Sequence, residues 1–365
     1  MKKHNLLSTI SNSELVKLLF LVPLLLLGGA IYASTMLFVM GDFFAFVKYG
    51  YWFYTILFPI LLLVVSAVGY GVQFQRPVPL FLRRWYHAAF ILAFLCFGIR
   101  MYATHIEPYR LQIVEHTIAS PKITLPVRLV HITDIQSDGI SRYEERVFEA
   151  VREIEPDILL NTGDNLQPVR PASLESELPK LKALFDRVNP PLGKYCIYGN
   201  VGDDRLYEMA GGLMGQTLLE NRAETILIGG SRINIHGLGW HESGHGSPAI
   251  DAWVKEAEPG DFTILLGHSP DYVMHCKDLP IDLCLAGHVH GGQIVIPGFG
   301  PLVTFSRLPR DVVSGFHPVG ETYLNVSKGV GTEHHLDLPP IRFFCPPDIT
   351  VFHLVPESHI ELVEK

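Results

Sequence analysis

Three long apolar runs occupy the first third of the chain. Residues 18–41 and 49–75 contain 24 and 27 consecutive uncharged residues. A bilayer core about 30 Å thick is crossed by a helix of about 20 apolar residues, so each run predicts a membrane-spanning helix. A third run, residues 85–99, has 15 residues and ends at Arg100. We therefore predict a membrane anchor of about three transmembrane helices in residues 1–105.

From about Tyr109 the pattern changes to short apolar runs that alternate with amphipathic stretches. Such alternation is typical of layered α/β domains. Strands are predicted at 127–132, 157–162, 194–198, 224–228, 232–237, 262–266 and 281–286. Helices are predicted at 143–154, 173–187, 203–210, 248–257 and 270–276. Residues 106–365 are therefore expected to form an α/β domain that follows the anchor.

The charge of the chain also changes near residue 105. The chain is 48% hydrophobic and 18% charged, with a formal net charge of −8. Residues 1–105 carry eight Lys/Arg and two Asp/Glu, a net charge of +6, which leaves 21 Lys/Arg, 35 Asp/Glu and a net charge of −14 for the remainder. Because nucleic-acid binding needs a positive surface, we expect no nucleic-acid partner for this acidic domain.

The basic residues of the anchor predict its orientation. They cluster before the first span and between the second and the third: Lys2, Lys3, Lys17, Arg76, Arg83 and Arg84. Cytoplasmic loops are enriched in Lys and Arg, so the N-terminus and the second loop are expected in the cytoplasm. Three spans then place the domain after residue 105 outside the cytoplasm. The chain would be anchored in the inner (plasma) membrane, and the domain would lie next to the lipid bilayer.

Residues with metal-ligating side chains follow the predicted strands. They are Asp134, Asp164, Asn200, His268, His288 and His290. In open α/β sheets, sites form at the carboxyl ends of strands, so these side chains are expected to converge. Mixed oxygen and nitrogen ligands suit Mn²⁺, Zn²⁺ or iron. Because six ligands exceed the need of one four-coordinate ion, we predict two ions that share a carboxylate, with Asp164 as the bridge.

Five ordered sequence blocks carry a resemblance to a known family. They are HITDIQ (131–136), NTGDN (161–165), YGN (198–200), LLGHSPD (265–271) and AGHVHGGQ (286–293). In this order they resemble the calcineurin-like metallophosphoesterases, and more closely the membrane-anchored bacterial branch, whose catalytic domain follows N-terminal transmembrane helices. The resemblance covers residues 106–358. It implies a four-layer α/β/β/α sandwich, preceded here by the transmembrane helices.

The resemblance also implies two metal sites and a reaction. One ion would be held by Asp134, Gln136, Asp164 and His290, and the other by Asp164, Asn200, His268 and His288. Asp164, Asn200 and His268 would be the catalytic residues. The expected reaction is hydrolysis of a phosphate ester with two divalent cations. Mn²⁺ is favoured, with Zn²⁺, iron or Mg²⁺ as alternatives.

Two positions depart from the family pattern. The first block usually reads D-x-H, but position 136 is Gln, whose amide oxygen ligates cations more weakly than imidazole. We favour a weaker, more Mn²⁺-like first site over its loss. The third block usually reads GNH, and its His is interpreted as the proton donor, but the corresponding residue here is Val201. We therefore predict a leaving group that needs no protonation, such as phosphate from a pyrophosphate bond or an aryl group.

Four other histidines are candidates to replace the missing acid. His241 and His245 lie in WHESGHG (240–246), interpreted as a glycine-rich loop, and His334 and His335 lie in GTEHHLD. The alternative for each is an exposed histidine without a role. Trp240, in the same segment as His241, is a candidate for stacking on a base or for contact with the membrane.

These inferences predict one function and leave one rival. We expect a membrane-anchored phosphoesterase that hydrolyses a phosphoester or pyrophosphate bond in a phosphate-containing substrate, either lipid-linked or a nucleotide diphosphate. The alternative is a catalytically weak or silent protein of the same fold, used for sensing or scaffolding at the membrane. Retention of all six ligands argues against that alternative. The sequence leaves the oligomeric state open.

Overall fold

The structure is a computed structural model that describes residues 11–41, 43–202, 205, 214–245, 250, 253, 258, 260–276, 278–333 and 338–358. It divides into two compact units, of which the first contains the chain up to Thr104 together with Leu338, and the second contains the other described residues from His105 onward. The helices predicted at 203–210 and 248–257 lie largely outside the described residues. His334 and His335 lie outside them as well.

Three helices of the described chain are long and apolar enough to cross a membrane. They are α1 (Ser13–Val39), α2 (Ala45–Gln73) and α3 (Leu80–Tyr109), with 27, 29 and 30 residues. The third helix is longer than its uncharged run because it includes arginines near both ends, where a long side chain can reach the membrane interface. The described chain therefore contains the three apolar helices that the sequence predicts, and the third is longer than its predicted run.

A proline in α1 creates the contact that holds α3 against it. Pro23 has no N–H, so it cannot donate to the Leu19 carbonyl one turn earlier, and the helix widens into a π-helical turn at Lys17–Leu21. The indole Nε1 of Trp85 donates to that carbonyl instead, at 2.6 Å. An unpaired carbonyl in an apolar bundle would be costly, so this hydrogen bond fixes the position of α3 in the bundle.

The strands of the second unit form two large sheets and a short hairpin within the described residues. In chain order they are β1 (Gln112–Ser120), β2 (Val127–Ile132), β3 (Ile158–Asn161), β4 (Lys194–Cys196), β5 (Thr217–Leu218), β6 (Arg222–Ile228), β7 (Ser231–Gly237), β8 (Phe262–Leu266), β9 (Leu283–Ala286), β10 (Val295–Ile296), β11 (Gly300–Pro301), β12 (Gly315–Val319), β13 (Thr322–Val326) and β14 (Asp348–Pro356). Sheet I has the order β1-β14-β2-β3-β4-β5, and sheet II has the order β12-β13-β9-β8-β7-β6. Strands β2 to β5 are parallel, and so are β7, β8, β9 and β13.

Alternating side chains of the central strands build the layers. In β2, Val127 and Leu129 belong to the core between the two sheets, whereas Val130 and Ile132 pack with the helices outside sheet I. Those helices are α4 (Arg142–Ile154) and α5 (Leu174–Phe185). The outer face of sheet II is covered by a 3₁₀ helix, Pro270–His275, and neighbouring apolar side chains. The sandwich implied by the sequence blocks is confirmed.

The seven predicted strands are present, with ends that move by up to two residues. The prediction lacks β1, β5 and the strands from β10 to β14. β1 and β14 pair with each other in parallel, beginning at Gln112 and Asp348. Because these two strands are far apart in the chain, no local sequence pattern indicates that they pair. The interpretation of residues 240–246 as a glycine-rich loop was wrong, because Trp240–His245 forms a short helix, α6.

Candidate metal centre

The predicted ligands follow the ends of strands from both sheets. Asp134 and Asp164 come after β2 and β3 of sheet I, and His268 and His288 come after β8 and β9 of sheet II. Asp134, Asp164 and His288 have positive φ angles of 48°, 55° and 68°, which non-glycine residues seldom adopt. Such backbone strain is concentrated at functional sites because the surrounding structure must hold it in place.

Two buried carboxylates and one buried imidazole form the middle of the cluster. The ligand atoms of Asp134, Asp164 and His268 all lie within 4.8 Å of one another. The His268 Nε2 lies 3.1 Å from Asp164 Oδ2 and 4.0 Å from Asp134 Oδ1. Two carboxylates so close in a dry site repel each other unless a positive charge lies between them. This arrangement therefore suits a cation.

Hydrogen bonds orient the His268 ring toward the carboxylates. Its Nδ1 lies 2.7 Å from the carbonyl oxygen of Thr162, which can only accept. The ring therefore carries its proton on Nδ1 and directs Nε2 toward Asp164, as metal-ligating histidines do. The amide Oδ1 of Asn200 lies 3.1 Å from the same Nε2. Asp164, Asn200 and His268 thus converge as the sequence predicts.

Gln136 and His290 lie on the other side of the two aspartates. The Nε2 of Gln136 donates to Asp164 Oδ2 at 3.1 Å, and the Nε2 of His290 lies 3.5 Å from Asp134 Oδ1. Gln136 Oε1 and His290 Nε2 are buried, and among the described residues neither has a hydrogen-bond partner. Buried polar atoms are normally paired. An amide oxygen and an imidazole nitrogen without partners, both from the predicted first site, therefore fit a metal ion as ligands.

His288 completes the cluster at the sheet II side. Its backbone N–H donates to both carboxylate oxygens of Asp134, at 2.9 and 3.1 Å. Its ring centre lies 5.1 Å from that of His268. The structure therefore brings together the whole predicted ligand set: Asp134, Gln136, Asp164, Asn200, His268, His288 and His290.

The pKa values within the cluster are consistent with a cation site. Burial lowers the pKa of His268, but the neighbouring Asp164 and Asp134 carboxylates outweigh burial and raise it to about 10. In the absence of metal, a proton on this ring supplies the positive charge that the carboxylates attract. Burial lowers the pKa of His288 to about 3 and that of His290 well below its usual range. Both are therefore neutral at pH 7, the form that ligates metals.

Comparison with known proteins identifies the family of this centre. Residues 127–292 match the calcineurin-like phosphoesterase family. YkuE of Bacillus subtilis, an uncharacterized metallophosphoesterase, is 31% identical over 264 residues, which cover 69% of this chain and 88% of that protein. The chain belongs to the calcineurin-like phosphoesterase family. It is therefore a metal-dependent phosphoester hydrolase.

Two further relatives of this phosphoesterase have names that state an activity. Phosphodiesterase YaeI of Escherichia coli is 25% identical over 275 residues, which cover 70% of this chain and 92% of that protein. UDP-2,3-diacylglucosamine pyrophosphatase LpxG of Chlamydia muridarum is 25% identical over 331 residues, which cover 70% of this chain and 93% of that protein. The names refer to a diester bond and to a pyrophosphate bond, so relatives at similar identity differ in substrate.

Sequence reasoning missed a carboxylate at the first site of the phosphoesterase. Glu333 accepts hydrogen bonds from Gln136 Nε2 and from Gln167 Nε2, each at 3.0 Å. Gln136 Nε2 donates to both Glu333 and Asp164, and these two hydrogen bonds fix the orientation of its amide. Glu333 follows a glycine-containing loop whose Gly331 N–H donates to the Asp134 carbonyl at 2.7 Å.

Trp240 lies against the histidines of the second site. Its ring centre is 5.5 Å from that of His268 and 5.0 Å from that of His288. The indole remains 37% exposed, so it presents an apolar face beside the metal centre. His241 and His245 of the same helix are exposed and stack on each other, with ring centres 4.8 Å apart. Among the described contacts, Trp240 packs on the site histidines, whereas His241 and His245 pack on each other.

Proposed function

We propose that this phosphoesterase binds two divalent cations, with Mn²⁺ favoured, and hydrolyses a phosphoester or pyrophosphate bond at a membrane. The observation that carries the proposal is the convergence of seven candidate ligand side chains. Two of them have buried polar atoms, Gln136 Oε1 and His290 Nε2, that lack a hydrogen-bond partner among the described residues. When bound, two such cations neutralise phosphate charge and lower the pKa of a water molecule. The alternative of a silent scaffold would leave this costly set of buried groups without a use.

Asp164 and His268 have different roles in the proposed site. Asp164 lies between the two predicted ion positions, and its Oδ1 accepts the Val201 N–H at 2.8 Å. His268 is locked by Thr162, so its Nε2 is preorganised before any ligand arrives. Preorganised groups cost no rearrangement during the reaction, which is the main source of electrostatic catalysis.

The side chain at position 201 favours substrates with good leaving groups. Its backbone contact with Asp164 places residue 201 at the metal centre, where the family pattern has a proton-donating histidine. Valine supplies no proton, and proton donation is typically worth about 10²–10⁴-fold in rate. A phosphate released from a pyrophosphate bond leaves readily without a proton. The name of the Chlamydia relative, a pyrophosphatase, supports the same class of bond.

The three apolar helices support a membrane-anchored enzyme with its catalytic domain outside the cytoplasm. Basic residues before α1 and between α2 and α3 favour a cytoplasmic location for those segments. An odd number of spans then puts the chain after Thr104 on the other side. A fusion of alkaline phosphatase to the C-terminus is expected to be active. A C-terminal reporter that is active only in the cytoplasm would contradict this orientation.

A substrate panel tests the proposed reaction. The full chain in nanodiscs is supplied with Mn²⁺ and with nucleotide-diphosphate compounds, phospholipids, an aryl phosphodiester or an alkyl phosphodiester. We expect hydrolysis that a chelator abolishes and Mn²⁺ restores, with pyrophosphate and aryl substrates preferred. Faster hydrolysis of the alkyl diester than of the nucleotide-diphosphate compounds would contradict the proposed preference. Activity that persists after removal of metal would contradict the two-metal proposal.

Replacement of Gln136 by alanine is expected to weaken one of two Mn²⁺ sites. The substitution removes the unpaired Oε1 and frees the Glu333 and Asp164 carboxylates from a shared donor. The affinity of that site should fall by about 10–100-fold, as measured by titration calorimetry with metal analysis. Gln136→His, the matched control, should keep two sites. Binding of a single ion by the native chain, with a second gained in Gln136→His, would contradict a ligand role for Gln136.

A further inference from the structure

A short apolar hairpin follows the last metal-site histidine. After the 3₁₀ turn His290–Gly292, strands β10 and β11 pair with each other, and the connecting and following residues expose large side chains. Four lie within ten residues: Ile296, Phe299, Leu302 and Phe305, which are 41%, 59%, 42% and 54% exposed. Single exposed apolar residues are normal on proteins, but a cluster of this kind marks an interaction surface. We refer to residues 294–305 as the apolar hairpin.

Backbone contacts fix the apolar hairpin to the metal centre. Gly292 has a φ of +79°, and a side chain there would overlap Pro301 of β11. The Leu302 N–H donates to the Ile294 carbonyl at 3.0 Å, and Val295 N–H donates to the Phe343 carbonyl at 2.9 Å. The exposed side chains are therefore held at a constant place relative to His290, rather than on a loose loop.

The charge around the apolar hairpin is unusual for this domain. Residues 283–310 contain no Asp or Glu, although the chain after residue 105 carries 35 of them. The same stretch contains Arg307 and Arg310, and the guanidinium of Arg310 lies 4.9 Å from the ring centre of Phe299. Arg307 is partly neutralised by Asp271, whose Oδ2 lies 3.5 Å from its Nε. The hairpin is thus apolar and bordered by two arginines, next to which Asp271 and Asp311 are the acidic residues.

An apolar tip bordered by arginine is the chemistry of a segment that enters the interface of an anionic membrane. Apolar side chains gain from burial at the boundary between headgroups and acyl chains, while guanidinium groups meet lipid phosphates. The chain's own apolar helices would keep the domain at a bilayer, and this favours the bilayer over a protein partner as the occupant of the hairpin surface. Among the candidate occupants, the lipid bilayer therefore fits best.

We propose that the apolar hairpin is a second membrane contact, through which the catalytic domain itself inserts into the interface of an anionic bilayer beside its metal centre. This inference rests on the proposed membrane anchoring but not on turnover. It adds to the proposed function that the substrate is a lipid whose phosphate lies at that interface. Depth of insertion is about 5–10 Å for segments of this kind.

Site-directed spin labelling of the full chain tests the proposal. Phe299→Cys is labelled with a nitroxide and reconstituted in vesicles of phosphatidylcholine and phosphatidylglycerol. Leu227→Cys, on β6, is the matched control because Leu227 is 67% exposed and lies outside the hairpin. The unsubstituted chain, taken through the same labelling, corrects for the native cysteines. At 299 the accessibility to oxygen relative to a water-soluble nickel complex should rise severalfold over that at 227.

The outcomes separate the membrane from other occupants. An aqueous accessibility ratio at 299, equal to that at 227, would overturn the proposal, and so would lipid exposure at both positions. Dipolar broadening between labels without lipid exposure would indicate a second copy of the chain and would also overturn it. Arg310→Glu should reduce the depth at 299 in the anionic vesicles, and an unchanged depth would refute the role of the basic border. Because no measurement needs catalysis, an inactive enzyme that still inserts would contradict only the proposed function.

Discussion

Replacing Asp164 with asparagine is expected to lower kcat/KM by about a thousandfold and to reduce the bound Mn²⁺ from two ions to at most one. Asp164 lies between the two predicted ion positions, and an amide offers a single neutral oxygen instead of two that share a negative charge. The Val201 N–H donates to Oδ1 and Gln136 Nε2 donates to Oδ2, so in the asparagine variant one of these donors would face the new NH₂ group. A loss of about 4 kcal/mol in transition-state stabilisation corresponds to this factor.

Asp261→Asn is the matched control for that substitution. Asp261 is 3% exposed and accepts hydrogen bonds from Arg232 and Asn234. It precedes β8, whereas His268 follows the other end of the same strand. The control should change stability without changing the number of bound ions. Metal analysis and steady-state kinetics on both variants check the prediction, and activity that survives in Asp164→Asn would exclude the two-metal reaction.

Replacing Val201 with histidine is expected to raise kcat/KM for an alkyl phosphodiester by about 10²-fold, within the usual range for general acid catalysis. The backbone of residue 201 is held at the metal centre by its hydrogen bond to Asp164, so the new ring enters the site. An alkoxide leaving group needs a proton and gains most from it. An aryl diester should change little, because its leaving group is already stable as an anion.

Val201→Phe separates proton donation from bulk at this position. A phenyl ring is similar in size to an imidazole ring but carries no proton, so this variant should not accelerate the alkyl substrate. The ratio of the two rates, measured as a function of pH, identifies the acid because only the histidine variant should lose its advantage at high pH. Equal acceleration of the alkyl and aryl substrates, or acceleration by phenylalanine, would contradict the leaving-group argument.

The candidate metal ligands could be predicted because each comes shortly after the end of a strand, within four residues of it. β2, β3, β8 and β9 are buried on both faces, and such strands read as short apolar runs. Parallel strands end at the same edge of a sheet, so polar residues after them meet there. Local pattern and general topology were therefore enough to predict that Asp134 and Asp164 meet, whereas His268 belongs to sheet II and reaches them through the packing of the two sheets.

Other features depend on contacts between distant parts of the chain. Glu333 meets Gln136 across 197 positions, and no pattern near either residue indicates the pair. The same is true of the indole of Trp85 and the carbonyl of Leu19, which are 66 positions apart. The segment beginning at Trp240 looks like a loop because it contains glycine and polar residues. It forms a helix whose tryptophan packs on the site histidines.

The amino-acid sequence alone was enough to predict three long apolar helices, the α/β class of the domain and the candidate metal ligands, because hydrophobic periodicity and residue chemistry are local properties. The orientation of the Gln136 amide, the ring that covers the predicted second site and the place of the apolar hairpin came only from the three-dimensional structure. Each of these depends on the packing of segments that are far apart in the chain. Packing of this kind is set by the whole core, so it has no signature in any single stretch of residues.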